Sequence, residues 1–214
     1  MKYYIIAGEA SGDLHGSNLI KEIIKIDSNA EIKAWGGDKM QDAGATIDKH
    51  FKDLAFMGCY EVLINLKTIL NNISYCKKDI LDFNPDKIIF IDYPGFNLRI
   101  AKWAKKQKFN TIYYIAPQLW AWNEKRISEI KKFVDSMYVI LPFEKEFFEK
   151  KHNYPVNFMG HPLIDSINNF QNRFQKDKQE IKLNNKPVVA ILPGSRKQEI
   201  KKILKTVIKV INDY

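Results

Sequence analysis

Short apolar runs alternate along the chain with longer stretches in which apolar positions recur every three or four residues. The first run, YYIIA (3–7), is followed by a helical pattern over 14–26. EIKAW (31–35) leads into the turn Gly36-Gly37, and a long helical region extends from Glu61 to about Phe83. KIIFI (87–91), TIYYI (111–115) and SMYVI (136–140) then alternate with helical patterns over 97–107, 123–133 and 143–151. A short strand, VNFMG (156–160), and a helix over 163–170 close the series. Strand–helix alternation of this kind predicts an α/β fold with a doubly wound parallel sheet, Rossmann-like, over residues 1–170. Residues 171–186, QNRFQKDKQEIKLNNK, read as a polar linker. The pattern then restarts over 187–214 with a strand PVVAIL, the turn PGSRKQE and a basic helix from about Ile200. One strand and one helix cannot bury themselves, so the chain is expected to stop just inside a second α/β domain.

Composition narrows the class. The 214 residues are 45% hydrophobic and 28% charged, as expected of a globular protein with a buried core. No run approaches the roughly 18 apolar residues of a membrane span, and the N-terminus turns polar too early for a signal peptide; a cytoplasmic protein is expected. Two cysteines and four scattered histidines give no metal-ligand pattern, so no metal site is expected. The net charge of +9 calls for an anionic partner: nucleic acid, acidic membrane or phosphorylated substrate. Lysines spread along the chain, with no Arg-rich block and no base-reading motif, rank nucleic acid last.

Ligands of open parallel sheets sit beyond the carboxyl ends of the strands, so the residues after each run carry the candidate chemistry. After the first run comes AGEASGDLHG (7–16). Its glycines are spaced by four and match neither GxGxxG nor GxxxxGK[ST]. Glu9, Ser11, Gly12 and Asp13 suit a polar ligand at a helix start, and Ser11 or Asp13 also suits a helix cap. Asp92 ends a strand before a proline-shaped turn, where a carboxylate can take a proton from a substrate hydroxyl; a turn or cap acid reads the same way. Ser195 and Arg196, in LPGSRKQEI, place a hydroxyl, a guanidinium and helix N–H groups where a diphosphate would fit. Trp120 and Trp122 have a period-two spacing beside a proline, which argues against a helical stripe and for a cleft wall. Over 62–73 the apolar residues cover more than one helical stripe. Val62, Leu63, Leu66, Ile69 and Leu70, with Lys67, Lys77 and Lys78 nearby, resemble an interfacial helix, although burial against the sheet explains about half of such residues.

Taken in order, AGEASGD (7–13), WGGDKMQDAG (35–44), MGCYEVL (57–63), IDYPGFN (91–97), YYIAPQLWAW (113–122), PFEKEFF (142–148), GHPLID (160–165) and LPGSRKQEI (192–200) resemble the lipid-A-disaccharide synthase family of glycosyltransferases. The resemblance implies the N-terminal domain of a two-Rossmann-domain (GT-B) fold plus the start of a C-terminal donor-nucleotide domain. It also implies an inverting transfer of diacylglucosamine from UDP-diacylglucosamine to diacylglucosamine 1-phosphate, releasing UDP. By it Asp92 is the base, and Ser195 and Arg196 meet the donor diphosphate. Glu9, Ser11, Gly12, Asp13, Asn97 and Trp120 line the substrate side. The residues of 62–73 face acyl chains and the inner membrane of a Gram-negative bacterium, to whose cytoplasmic surface the protein would bind peripherally. Lys and Arg near anionic lipid contribute about 1 kcal/mol each, which gives the basic charge a role. No cofactor is implied, because the UDP-sugar is a substrate; a homodimer is left open.

Two departures stand out. Gln118-Leu119 occupies a place where the family pattern has a Ser-containing variant, and most of the family's second domain lies outside these residues. The isolated chain is therefore expected to turn over little or not at all. The competing readings are another GT-B enzyme on a UDP-sugar (a peptidoglycan glycosyltransferase or a UDP-sugar epimerase) and a non-catalytic membrane-surface module.

Overall fold

The computed structural model describes residues 1–54, 66–174, 189–194 and 197–212. They fall into two compact units, Met1–Asn168 and Asn169–Tyr214.

The first unit is built on a seven-stranded sheet. The strands are β1 (Lys2–Ala7), β2 (Glu31–Gly36), β3 (Thr46–His50), β4 (Lys87–Ile91), β5 (Asn110–Tyr114), β6 (Ser136–Val139) and β7 (Asn157–Phe158). Their order is β3-β2-β1-β4-β5-β6-β7, and every neighbouring pair is parallel. The helices are α1 (Ala10–Ile26), α2 (Asp38–Asp42), α3 (Leu66–Phe83), α4 (Pro94–Lys106), α5 (Leu119–Trp122), α6 (Ile127–Phe133), α7 (Pro142–Glu146), α8 (Leu163–Phe174) and α9 (Lys197–Asn212). The expected α/β, Rossmann-like sheet is present.

Alternation along the strands divides the core between the two faces of the sheet. Tyr4, Ile6, Trp35, Phe90 and Tyr113 point to one face, where Ile73, Cys76 and Ile80 of α3 and Ala101 and Ala104 of α4 cover them. Ile5, Ala7, Ala34, Ile89 and Ile91 point to the other, against Ile20 of α1 and Met40 of α2. Burying an Ile or Phe side chain in this way is worth about 1.5–3 kcal/mol. The chain reverses its direction of growth across β1 and β4, which are adjacent in space with Ala7 opposite Ile91. In open sheets of this kind, ligands bind beyond the carboxyl ends of the strands near such a switch point.

Several expectations are corrected. The edge strand β3, TIDKH, was not anticipated; it is short, charged and only partly covered, so it lacks the apolar alternation of an inner strand. Helix α1 begins at Ala10, so Ser11, Gly12 and Asp13 lie in its first turn instead of a loop. Trp120 and Trp122 lie in the single helical turn α5, which is too short to carry a helical stripe. Helix α8 runs on to Phe174, into the stretch read as linker. Residues 189–192 of the expected strand PVVAIL form no ladder with the described residues. Val189 and Leu192 are 77% and 92% exposed.

Candidate active site

The turn from β4 into α4 carries unusual backbone geometry. Asp92 and Tyr93 both have left-handed φ, +42° and +49°, and Pro94 starts the helix directly after them. Ile115, at the end of the adjacent strand β5, has φ +68°, and its carbonyl accepts the Asp92 N–H at 3.3 Å. Non-glycine residues in this region cost about 1–3 kcal/mol each and persist only where their surroundings hold them. Here the holding groups are identifiable. The Tyr113 hydroxyl donates to the Asp92 carbonyl at 2.6 Å, and Asn97 Nδ2 donates to the same oxygen at 2.7 Å and to the Ile91 carbonyl at 3.3 Å. Asn97 is fully buried on α4, and Tyr113 is fully buried on β5. Burial and the nearby Asp92 push the Tyr113 phenol well up, so it remains a donor.

Asp92 stands open to solvent at the mouth of a pocket, with protein packed around its inner side. That desolvation, followed by the charge of Glu9, raises its carboxyl above the ordinary value of 3.8. Glu9 is there because β1 and β4 are neighbours, so the residues after each strand meet at the switch point. The pocket has a volume of about 340 Å³ and is lined by Asp92, Pro94, Pro117, Gln118, Leu119, Asn123 and Arg126. A raised carboxylate opposite an arginine and two amides can hold a polar substrate and accept its proton.

Asp13 is buried and faces the turn between β2 and α2. Its Oδ1 accepts the N–H groups of Gly37 (2.8 Å) and Met40 (3.0 Å), and its Oδ2 accepts that of Lys39 (3.2 Å). It thus supplies the acceptor for the orphan N–H groups that open α2. The glycines serve packing within the protein. A Cβ on Gly8 would lie 2.5 Å from the Tyr93 ring, and one on Gly12 would lie 2.9 Å from Ala7 Cβ. Glu9 takes the N-cap position of α1 without a side-chain cap bond, and Ser11 is exposed.

Of the remaining candidates, Trp120 is 39% exposed and meets Phe143 edge-on at 5.0 Å, outside the lining of the Asp92 pocket. Ile69 packs partly against the core, and Leu70 is 51% exposed. Leu66 belongs to α3, and only its backbone is described. Val62, Leu63, Ser195 and Arg196 lie outside the described residues. Tyr113 and Arg126 were not singled out by the sequence. Tyr113 sits in an apolar strand that reads as core, its one signal being a buried hydroxyl that needs a partner. Arg126 sits in the charged run NEKR and reads as solvated surface. Among the described residues, no group of three His, Cys, Asp or Glu is placed to hold a metal ion, and no helix is long and apolar enough to cross a membrane.

The fold and the edge-of-sheet pocket define a class: a Rossmann-like α/β protein with a candidate ligand pocket beyond the carboxyl ends of β4 and β5. The profile of LpxB, lipid-A-disaccharide synthetase, matches residues 3–214, and the chain belongs to this family. It is 41% identical over 200 residues to the lipid-A-disaccharide synthase of Coxiella burnetii (strain Dugway 5J108-111), covering 94% of this chain and 53% of that protein. It is 40% identical over 205 residues to that of Trichlorobacter lovleyi, covering 96% and 53%. The chain therefore spans about half the length of the curated relatives it matches. In fold it is similar to the UDP-N-acetylglucosamine 2-epimerase of Rickettsia bellii (TM-score 0.61, 14% identity, 100% of this chain and 60% of that one). It is also similar to the UDP-GlcNAc 2-epimerase of Neisseria meningitidis bound to UDP-GlcNAc (TM-score 0.60, 14%, 82% and 50%).

Proposed function

We propose that this chain supplies the acceptor half and the base of an inverting glycosyltransferase of lipid A biosynthesis. In this reading, diacylglucosamine moves from UDP-diacylglucosamine to a hydroxyl of diacylglucosamine 1-phosphate. The observation that carries the reading is Asp92, on a strained turn in a chain of this family, its carboxyl raised and opening on a substrate-sized pocket. Asp92 takes the proton of the acceptor hydroxyl as that oxygen attacks the anomeric carbon from the face opposite the diphosphate. The new C–O bond forms as the bond to the diphosphate breaks, and UDP leaves with the bonding pair. Asn97 and Tyr113 are positioning residues, fixing the backbone that aims Asp92. Ser195 and Arg196 are assigned to the departing diphosphate, whose charge needs stabilising in the transition state. No cofactor takes part in this scheme.

The same reading places the protein peripherally on the cytoplasmic face of an inner membrane, through the apolar residues of 62–70 and the basic surface. The net charge of +9 and the exposure of Leu70 support it.

The test is UDP release from UDP-diacylglucosamine, with and without the lipid acceptor. It is run on a chain extended by the length its relatives carry beyond it. Acceptor-dependent release that drops at least about 10³-fold in Asp92→Asn is expected, from the loss of a general base and of the charge it places beside the reacting hydroxyl. Release that survives Asp92→Asn unchanged would remove Asp92 from the chemistry.

A further inference from the structure

A second cavity, of about 490 Å³, adjoins the Asp92 pocket and shares Pro94, Asn123 and Arg126 with it. Its walls carry four cations, Arg99, Lys102, Lys125 and Arg126, against one carboxylate, Glu129. Among the described residues, none of these four cations makes an ion pair within 4.0 Å; Lys102 leans over the Phe133 ring at 5.8 Å. Elsewhere on the first unit the lysines are often matched, as Lys33 is with Asp48 and Asp79, Lys105 with Asp135, and Lys151 with Glu124. The groove also begins at the first turn of α4, through Pro94 and Gly95. The positive end of a 13-residue helix thus adds to the field of the side chains. A cluster of uncompensated cations in a concavity, two of them arginines able to grip in bidentate fashion, is built for a doubly charged oxyanion.

We infer that this groove is a phosphomonoester site, which holds the phosphate of the ligand whose hydroxyl meets Asp92. The inference deepens the glycosyl-transfer reading and rests on it. Arg126 lies in the wall common to both cavities, so a sugar in the Asp92 pocket can set a phosphate in the groove across that wall. Arg99 and Lys125, both exposed, close on it from α4 and from the turn before α6.

The test titrates glucosamine 1-phosphate into the 214-residue chain by calorimetry, with glucosamine as the phosphate-free control. Binding that needs the phosphate is expected. Arg126→Gln and Arg99→Gln should each weaken it about tenfold or more, as loss of a charge-assisted hydrogen bond does. Lys21→Gln, which removes an exposed cation on α1, should leave it unchanged; equal weakening by Lys21→Gln would reduce the effect to net charge and overturn the site. No phosphate-dependent binding to the sugar or to vesicles also overturns it. Phosphatidylcholine vesicles doped with phosphatidic acid form the second arm. Capture of these vesicles that Arg126→Gln abolishes, with no response to the soluble sugar, assigns the same chemistry to a bilayer headgroup. Equal capture by phosphatidylglycerol vesicles, which carry only a phosphodiester, overturns it. The two readings separate through Asp92→Asn. If this variant stops turnover while Arg126→Gln and Arg99→Gln bind as wild type, the groove falls and the transfer reading stands. If turnover persists in Asp92→Asn while phosphate binding is lost in Arg126→Gln, the reverse holds.

Discussion

Two acids from the sequence motifs stand in opposite surroundings. Asp13 is enclosed and spends both oxygens on three backbone N–H groups of the β2–α2 turn. Asp13→Ala leaves these donors unsatisfied, and a loss of about 2–3 kcal/mol is expected in urea unfolding; unchanged stability would show that water replaces the carboxylate. Asp92 faces a pocket and carries a raised carboxyl, caused first by desolvation and then by Glu9. The acid limb of kcat/KM in the extended enzyme should therefore lie above pH 3.8. Glu9→Gln, which removes the second cause, should move that limb down without bringing it to 3.8. A limb that does not move separates Glu9 from Asp92. The linkage has a definite sign. A carboxyl whose folded pKa exceeds its unfolded value costs stability as pH rises through that range. Asp92→Asn should thus raise Tm at neutral pH while it removes activity.

At the scale of elements, α3 is tied to the sheet by a polar cluster under its apolar face. The Tyr4 hydroxyl on β1 donates to Asp79 on α3 at 2.6 Å, and Lys33 on β2 pairs with Asp79 and, at 3.5 Å, with Asp48 on β3. The Tyr75 hydroxyl on α3 donates to Asp48 at 3.2 Å. Asp79→Ala strips a largely buried cation and a buried phenol of their acceptor. A cost of about 3 kcal/mol or more is expected by denaturant titration, and Asp79→Asn should recover part of it. A cost under about 0.5 kcal/mol would mean that Lys33 simply turns to Asp48. The cluster also shows why β3 was not legible. Asp48 and Lys49 look like loop residues in TIDKH, and the partners of Asp48, Lys33 on β2 and Tyr75 on α3, come from elsewhere in the chain. The strands β1 and β4 were legible because their apolar runs are buried on both faces, and β5 and β6 because apolar residues dominate the short runs TIYYI and SMYVI.

At the scale of the whole molecule, the first unit holds the Asp92 pocket and its adjoining groove, whereas the residues assigned to the diphosphate lie outside the described region. If the transfer reading is right, the 214-residue chain alone should release UDP far more slowly than about 1 per second, and the extended chain should restore turnover. Activity of the isolated chain at an ordinary enzymatic rate would show that half the relatives' length suffices.

The sequence by itself determined the alternation of strands and helices, and hence a parallel sheet. It also determined which residues follow each strand, and the family, through motifs in a fixed order. These are local properties: periodicity, turn chemistry and short patterns survive without knowledge of any neighbour. Only the tertiary structure decided which acids would meet. The strand order puts β1 beside β4, which brings Glu9 to Asp92, although more than eighty positions separate them in the chain. It turned Asp13 toward α2 and filled the glycine positions with Tyr93 and Ala7. It also placed Arg126, a surface charge by pattern, between the pocket and the groove. Desolvation and charge proximity depend on distance in space, so no spacing along the chain carries them.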